Sequence, residues 1–163
     1  MYPSRQLTFR KTELRDIPDL IRVRGLTRQN AVSQAQLREW GITPQSIAEG
    51  FASREFYGRV CEADGAVVGF CTGNLNTGEV IVLAVLPEFE GKNIGLTLLN
   101  GVVEELNARK VKSIWLGCSS DPQSRSFGFY RANGWAPTGE VLGNGDEILV
   151  CTDLLDSPGL DLE

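Results

Sequence analysis

Residues 79–110 read EVIVLAVLPEFEGKNIGLTLLNGVVEELNARK. The first eight form an almost unbroken apolar run, the pattern of a central strand covered on both faces. From Ile94 the pattern changes: Ile94, Leu98, Val102 and Leu106, with Leu99 and Val103 beside them, recur at helical spacing and predict an amphipathic helix to about Arg109. Gly101 falls inside that helix, where glycine costs about 1 kcal/mol relative to alanine, and predicts close packing against a neighbour. Between strand and helix lies a short loop with Gly91 and Gly95. A helix N-terminus carries unpaired N–H groups and a partial positive charge, so this junction can receive an anion.

SIWLGC (113–118) follows as a short strand, and strand, helix, strand in this order implies a parallel crossover. Upstream, LTFRK (7–11) alternates as a first strand. Asp16 before Ile17-Pro18 predicts a cap and a helix over about 18–26, and Thr43-Pro44 opens another to about Ser53. RQNAVSQAQLREWG between them stays ambiguous. YGRVCEAD and AVVGFCTGNL form a hairpin turned at Asp64-Gly65, and Asn76-Thr77-Gly78 marks the next break. Downstream come a last helix in PQSRSFGFYRAN, stopped at Gly134, and a hairpin of WAPTGEVL and EILVCTDLL turned at Gly143-Asn144-Gly145.

The whole predicts an α/β (α+β) fold, a mixed and mostly antiparallel sheet of six to seven strands flanked by about four helices. A chain of 163 residues suits a single domain spanning 1–163, with its core at about 7–155 and residues 156–163 as a tail without functional weight.

Composition narrows the chemistry. Sixteen basic residues against twenty-one acidic ones give a net charge of −5, which argues against a partner held by general phosphate neutralisation, so no nucleic acid is expected. No run approaches the roughly 18 to 20 apolar residues of a membrane span, and MYPSRQLTFRK has no apolar signal core. The simplest expectation is a cytoplasmic protein with no membrane partner. Cys61, Cys71, Cys118 and Cys151 are far apart and read as reduced, buried filler. Histidine is absent, which removes the usual general base and the commonest metal ligand, so no metal is expected and catalysis must use carboxylates, Tyr, Cys, Ser, Lys or backbone groups.

Two blocks then carry a resemblance. Glu90, Gly91, Lys92, Asn93, Ile94 and Gly95 stand where the GNAT superfamily of acyl-CoA-dependent N-acyltransferases has Gln/Arg-x-x-Gly-x-Gly/Ala, with Glu90 and Asn93 departing from the pattern. SSDPQSRSFGFYRANGW resembles the family's Asn-x-x-Ala-x-x-Phe/Leu-Tyr-x-x-x-Gly-Phe, with Gln123 at the Asn position, Ser126 at the Ala position, and Phe129-Tyr130 and Gly134-Trp135 in register. The resemblance covers about Leu7 to Leu155. It implies that the 79–86 strand splays from its neighbour through a bulge, that the loop wraps the pyrophosphate of acetyl-CoA, and that Leu83 and Val85 contact the pantetheine arm. Asn is the non-glycine residue that best tolerates positive φ, so Asn93 can hold the turn. Glu90 must point away from phosphate, with Lys92 as the nearest cation to offset it.

The resemblance also implies an N-acetyltransferase acting on a primary amine of a small molecule or peptide by direct transfer. Tyr130 would protonate the departing thiolate and Glu79 would serve as general base. Strict alternation puts Glu79, Ile81, Leu83 and Val85 on one face. Glu62 and Asp64 are weaker candidates for the base, and a backbone N–H near Leu83 or Val85 would hold the oxyanion. The region from Leu26 to Phe56, with Arg28, Arg38, Trp40 and Arg54, would wall the acceptor groove, and pairing into a homodimer is common in the family. Read without the resemblance, Glu79 is a strand-end carboxylate and Tyr130 a core tyrosine. A domain of this family that binds an acyl-CoA or a protein partner without catalysis is the alternative.

Overall fold

The computed structural model describes residues 6–152. The last residues expected in the closing hairpin, and the tail, lie outside them. Seven strands and five α-helices run in the order β1 (Leu7–Lys11), α1 (Ile17–Arg24), α2 (Gln34–Glu39), α3 (Pro44–Ala52), β2 (Phe56–Ala63), β3 (Ala66–Asn74), β4 (Val80–Val85), α4 (Ile94–Ala108), β5 (Trp115–Cys118), α5 (Arg125–Ala132), β6 (Trp135–Val141) and β7 (Glu147–Cys151).

The helix starts follow their capping residues. Thr43 Oγ1 accepts the Ser46 N–H at 3.1 Å while Ser46 Oγ accepts the Thr43 N–H at 2.9 Å, which fixes α3. Ser33 Oγ accepts the Gln36 N–H at 3.1 Å and resolves the ambiguous segment as the short helix α2. Asp16 behaves differently from the expected cap. Its buried carboxylate takes a two-pronged bond from Arg10, 2.8 Å on each oxygen, and accepts the Glu13 N–H, while Arg10 also reaches Glu62 at 2.8 Å. An arginine fork outcompetes a helix N–H for a carboxylate because both partners are charged.

The strands divide into two antiparallel sheets, β1-β2-β3-β4 and β5-β7-β6, joined by one parallel bridge between Glu79 and Trp115. The Trp115 N–H donates to Gly78 O at 3.1 Å at that point. Beyond it β4 and β5 diverge and open the sheet into a V, the splay of the central strand pair that the resemblance implies. Helix α4 closes the crossover, burying Ile94, Leu98, Leu99, Val102 and Leu106 on β2 to β4. Five such side chains contribute on the order of 10 kcal/mol as an upper estimate. Glycines of β3 permit this approach: a Cβ at Gly73 would stand 2.7 Å from Val102, and one at Gly69 would stand 3.3 Å from Leu98. Gly101, on the same helix, lies against the Arg59 side chain. Cys61, Cys71 and Cys118 are free thiols, and all four cysteines are buried.

Strand β4 is not buried on both faces as its apolar run suggests. The register with β3 slips between Thr72 and Gly73, which face Val82 and Val80, so Ile81 is an extra residue and stands 40% exposed. Antiparallel partners share a face, and the slip exchanges faces along β4. Leu83 and Val85, opposite Cys71 and Gly69, lie on the α4 side. Glu79, whose C=O accepts the Asn74 N–H, lies on the other side with Val82 and Ala84. The single-face alternation expected for Glu79, Ile81, Leu83 and Val85 is therefore overturned.

Candidate active site

The V between β4 and β5 holds a cavity of about 1100 Å³. Its walls are β4 with Glu79, the loop after β4, the first turn of α4, β5 with Cys118, and Ser126, Phe129 and Tyr130 of α5; the α1–α2 segment and the β6–β7 turn border it. Beyond the Glu79 bridge no strand among the described residues lies beside the inner edge of β4. Such an edge can pair with an extended ligand through its backbone groups.

The loop ends in two left-handed residues, Gly91 (φ 78°) and Asn93 (φ 67°). A Cβ at Gly91 would meet nothing within 4 Å, so glycine is required there by backbone conformation rather than by space. Asn93 tolerates the same region and leaves α4 without a side-chain cap. The first hydrogen bond into the helix is Thr97 N–H to Asn93 O. Among the described residues, none of the N–H groups from Gly91 to Leu96 has a recorded acceptor. A row of free donors at the positive end of a fifteen-residue helix has the chemistry to receive an anion such as a diphosphate.

Tyr130 packs edge-to-face on Phe129 and Trp135, with ring centroids 5.1 Å and 5.8 Å away. Burial, with the thiols of Cys71 and Cys118 adding to it, pushes its phenol above the usual range, so Tyr130 is a neutral hydrogen-bond donor at the cavity wall. Glu79 also lines the cavity, and burial raises its carboxyl above the ordinary carboxylate range. Burial likewise raises the Cys118 thiol, which leaves it a poor nucleophile.

Residues 25–135 match the Acetyltransferase (GNAT) family. The chain belongs to that family. An uncharacterised N-acetyltransferase of Archaeoglobus fulgidus is 31% identical over 124 residues, covering 68% of this chain and 82% of the relative. Among solved structures, the PaiA N-acetyltransferase of Thermoplasma acidophilum in complex with coenzyme A superposes with a TM-score of 0.72 at 21% identity, covering 90% of this chain and 99% of that one. The ribosomal-protein-S18-alanine N-acetyltransferase of Escherichia coli gives a TM-score of 0.64 at 16% identity, covering 89% and 90%. As a GNAT domain the chain is an acyltransferase, with acetyl-CoA as the family's acetyl donor. The free donors of the α4 turn and the unpaired β4 edge fit that co-substrate.

Within the GNAT site the structure gathers Glu79, Leu83, Val85, Glu90, Gly91, Asn93, Ile94, Gly95, Ser126 and Tyr130 around one cavity. Lys92 and Gln123 are not among them. Lys92 is exposed outside the cavity, and Gln123 sits in the turn before α5, its N–H bonded to Asp121 Oδ1 at 3.0 Å and its side chain exposed. The helix expected over PQSRSFGFYRAN includes Gln123, whereas Ser124 caps α5 one residue later. Of the expected acceptor wall, Arg28 and Trp40 line the cavity and Arg38 and Arg54 do not. Glu62 pairs with Arg10, and Asp64 sits in the exposed β2–β3 turn, so neither borders the cavity.

The offset to Glu90 is different from the expected one. Its carboxylate is gripped by Arg28, at 2.9 Å, and by Arg125, and no Glu90–Lys92 ion pair forms among the described residues. Arg125 is tied in turn to the α1–α2 segment, its N–H donating to Gln29 Oε1 at 3.0 Å. These partners lie 62 and 35 residues from Glu90 in the chain, and no local pattern signals them.

Proposed function

We propose that this GNAT protein acetylates a primary amine of a small molecule or a peptide by direct transfer from acetyl-CoA, with donor and acceptor bound together. The reading rests on one observation above the rest: a neutral Tyr130 phenol and a half-buried Glu79 carboxylate border the same cavity, beside a free strand edge and an unpaired helix N-terminus. In this scheme the N–H groups from Gly91 to Leu96 hold the pyrophosphate. Leu83 and Val85, on the α4 side, flank the pantetheine arm.

Amide formation needs a neutral amine nitrogen, and an aliphatic amine is protonated near pH 7. Glu79 takes that proton, directly or through water, and its raised pKa brings it nearer the operating pH. A backbone N–H of β4, at Leu83 or Val85, binds the oxyanion as the nitrogen adds to the thioester carbonyl. Tyr130 gives its proton to sulfur as the C–S bond breaks and takes back, directly or through water, the second proton that the nitrogen sheds on becoming an amide, so that neither a buried phenolate nor a protonated amide is left. Trp40, Ile81, Asn144 and Asp146 also line the cavity and are candidates to meet the acceptor.

Calorimetric titration with acetyl-CoA is the first test, and no binding at millimolar ligand refutes the assignment. A coenzyme A release screen over polyamines, amino acids, aminoglycosides and peptide N-termini is the second. Binding with no thiol release over the whole panel would replace the enzyme reading by a coenzyme-binding one.

A further inference from the structure

We infer that Glu90 is an internal stand-in for the coenzyme's pyrophosphate: it holds Arg28 and Arg125 at the cavity mouth and yields them to the incoming diphosphate. The inference rests on the coenzyme reading above. Both arginines bond the same atom, Glu90 Oε1, and they come from two sides of the mouth, Arg28 from the segment after α1 and Arg125 from the first residue of α5. The Gln29 contact to the Arg125 N–H completes a ring of three chain segments meeting on one carboxylate.

Three features suit exchange rather than permanent closure. First, each guanidinium gives Glu90 one of its five donors, Nε of Arg28 and Nη1 of Arg125, and the rest make no recorded bond among the described residues. A diphosphate offers several oxygens in a geometry that guanidinium forks match better than a single oxygen does. Second, the arginine side chains are 56% and 57% exposed, and ion pairs of that exposure are weak enough to open. Third, the charges do not balance. Two cations share one anion, Arg24 lines the same cavity with no carboxylate recorded within 4.0 Å among the described residues, and the α4 N-terminus adds its own positive end. At Glu90 itself two guanidiniums are therefore met by one carboxylate, while Glu79 and Asp146 line the cavity from β4 and the β6–β7 turn. A glutamate at this loop position then leaves phosphate binding intact, because the cations come from elsewhere in the fold.

Dissociation constants for coenzyme A, dephospho-coenzyme A and pantetheine, measured on the wild type and on Glu90→Gln, Arg28→Gln and Arg125→Gln, test this. Glu90→Gln keeps the shape and removes the competing charge, and should tighten both phosphate-bearing ligands by about two- to fivefold while leaving pantetheine unchanged. Each arginine variant should weaken the same two ligands by about tenfold. Thermal melts without ligand confirm that the variants are folded. Weaker or unchanged coenzyme A binding by Glu90→Gln shows that Glu90 only positions the arginines and overturns the inference. A gain seen with coenzyme A and lost with dephospho-coenzyme A assigns the arginines to the 3′-phosphate and overturns it equally. A wild type that binds none of the three refutes the coenzyme reading itself, an outcome distinct from binding without a Glu90 effect.

Discussion

Gly78 sits at the apex of the V, and replacing it by alanine tests whether that apex shapes the site. Its φ is 82°, and a Cβ there would stand 1.9 Å from the carbonyl oxygen of Ser113, the residue that leads into β5. That oxygen belongs to the backbone and cannot swing aside as a side chain would. Two costs add: about 1–3 kcal/mol for a non-glycine residue in the left-handed region, and about 1–3 kcal/mol for forcing apart packed backbone. For a domain of this size each kcal/mol lowers Tm by about 2–4 °C, so Gly78→Ala should melt about 5–20 °C below the wild type. Gly91→Ala is the matched control. Its φ of 78° imposes the same backbone cost, but nothing stands within 4 Å of its Cβ, so its Tm should fall by only about 2–12 °C, less than that of Gly78→Ala. The order should reverse for coenzyme binding per folded molecule, where Gly91 belongs to the cradle. Differential scanning fluorimetry and calorimetric titration with coenzyme A read the two effects. Equal melting temperatures for the two variants would refute the steric argument at the apex.

Three further outcomes follow from the site and the core. Tyr130→Phe should keep the fold and the affinity for acetyl-CoA while lowering kcat by about 10²- to 10⁴-fold, measured by thiol release; an unchanged kcat removes Tyr130 from the chemistry. Glu79 has a raised pKa in the folded protein, so its charge opposes folding above the unfolded pKa of about 4.3, and the penalty is absent where both states are protonated. Glu79→Gln should therefore raise Tm at pH 7 by more than at pH 4 while abolishing the rising limb of the pH–rate profile, and equal shifts at both pH values would contradict the burial argument. Burial works to raise the Asp16 carboxyl, but the Arg10 fork and the Glu13 N–H outweigh it and hold it below the usual range. Stability from Asp16 is thus present above the unfolded pKa and lost as pH falls through the folded one, and Asp16→Asn should cost about 3 kcal/mol at pH 7 by denaturant titration, with the difference shrinking in acid.

The elements around the site were legible wherever the signal was local. The apolar run of 79–86, the change to helical spacing at Ile94 and the positive-φ tolerance of Asn93 each depend on a few adjacent residues, and strand, loop and helix all formed where those residues predict them. The splay was different in kind. It is an absence of pairing between β4 and β5, and a strand lacking one neighbour has the same apolar composition as a strand with two. The same ambiguity explains why β4 read as buried on both faces. The face of Glu79 failed for a related reason, since alternation is a rule for regular strands and the extra residue at Ile81 reverses its parity.

Glu90 departs from the family motif, and its charge is met from outside the loop. Taken within the loop, a carboxylate beside a phosphate cradle is repulsive, and Lys92, two residues on, is the only cation the local stretch supplies. In the folded chain Lys92 points into solvent, while Arg28 and Arg125 arrive from distant segments and more than cancel the charge. The electrostatics of the mouth are therefore a property of three segments together. A substitution at Glu90 is compatible with binding as long as both arginines remain, and loss of either arginine should make Glu90 the liability that its position alone suggests. The double variant Glu90→Gln with Arg125→Gln decides this. If the cluster is one electrostatic unit, Glu90→Gln restores more affinity in the Arg125→Gln background than the gain it gives in the wild type, whereas the same factor in both backgrounds would show that the two residues do not act on the same phosphate.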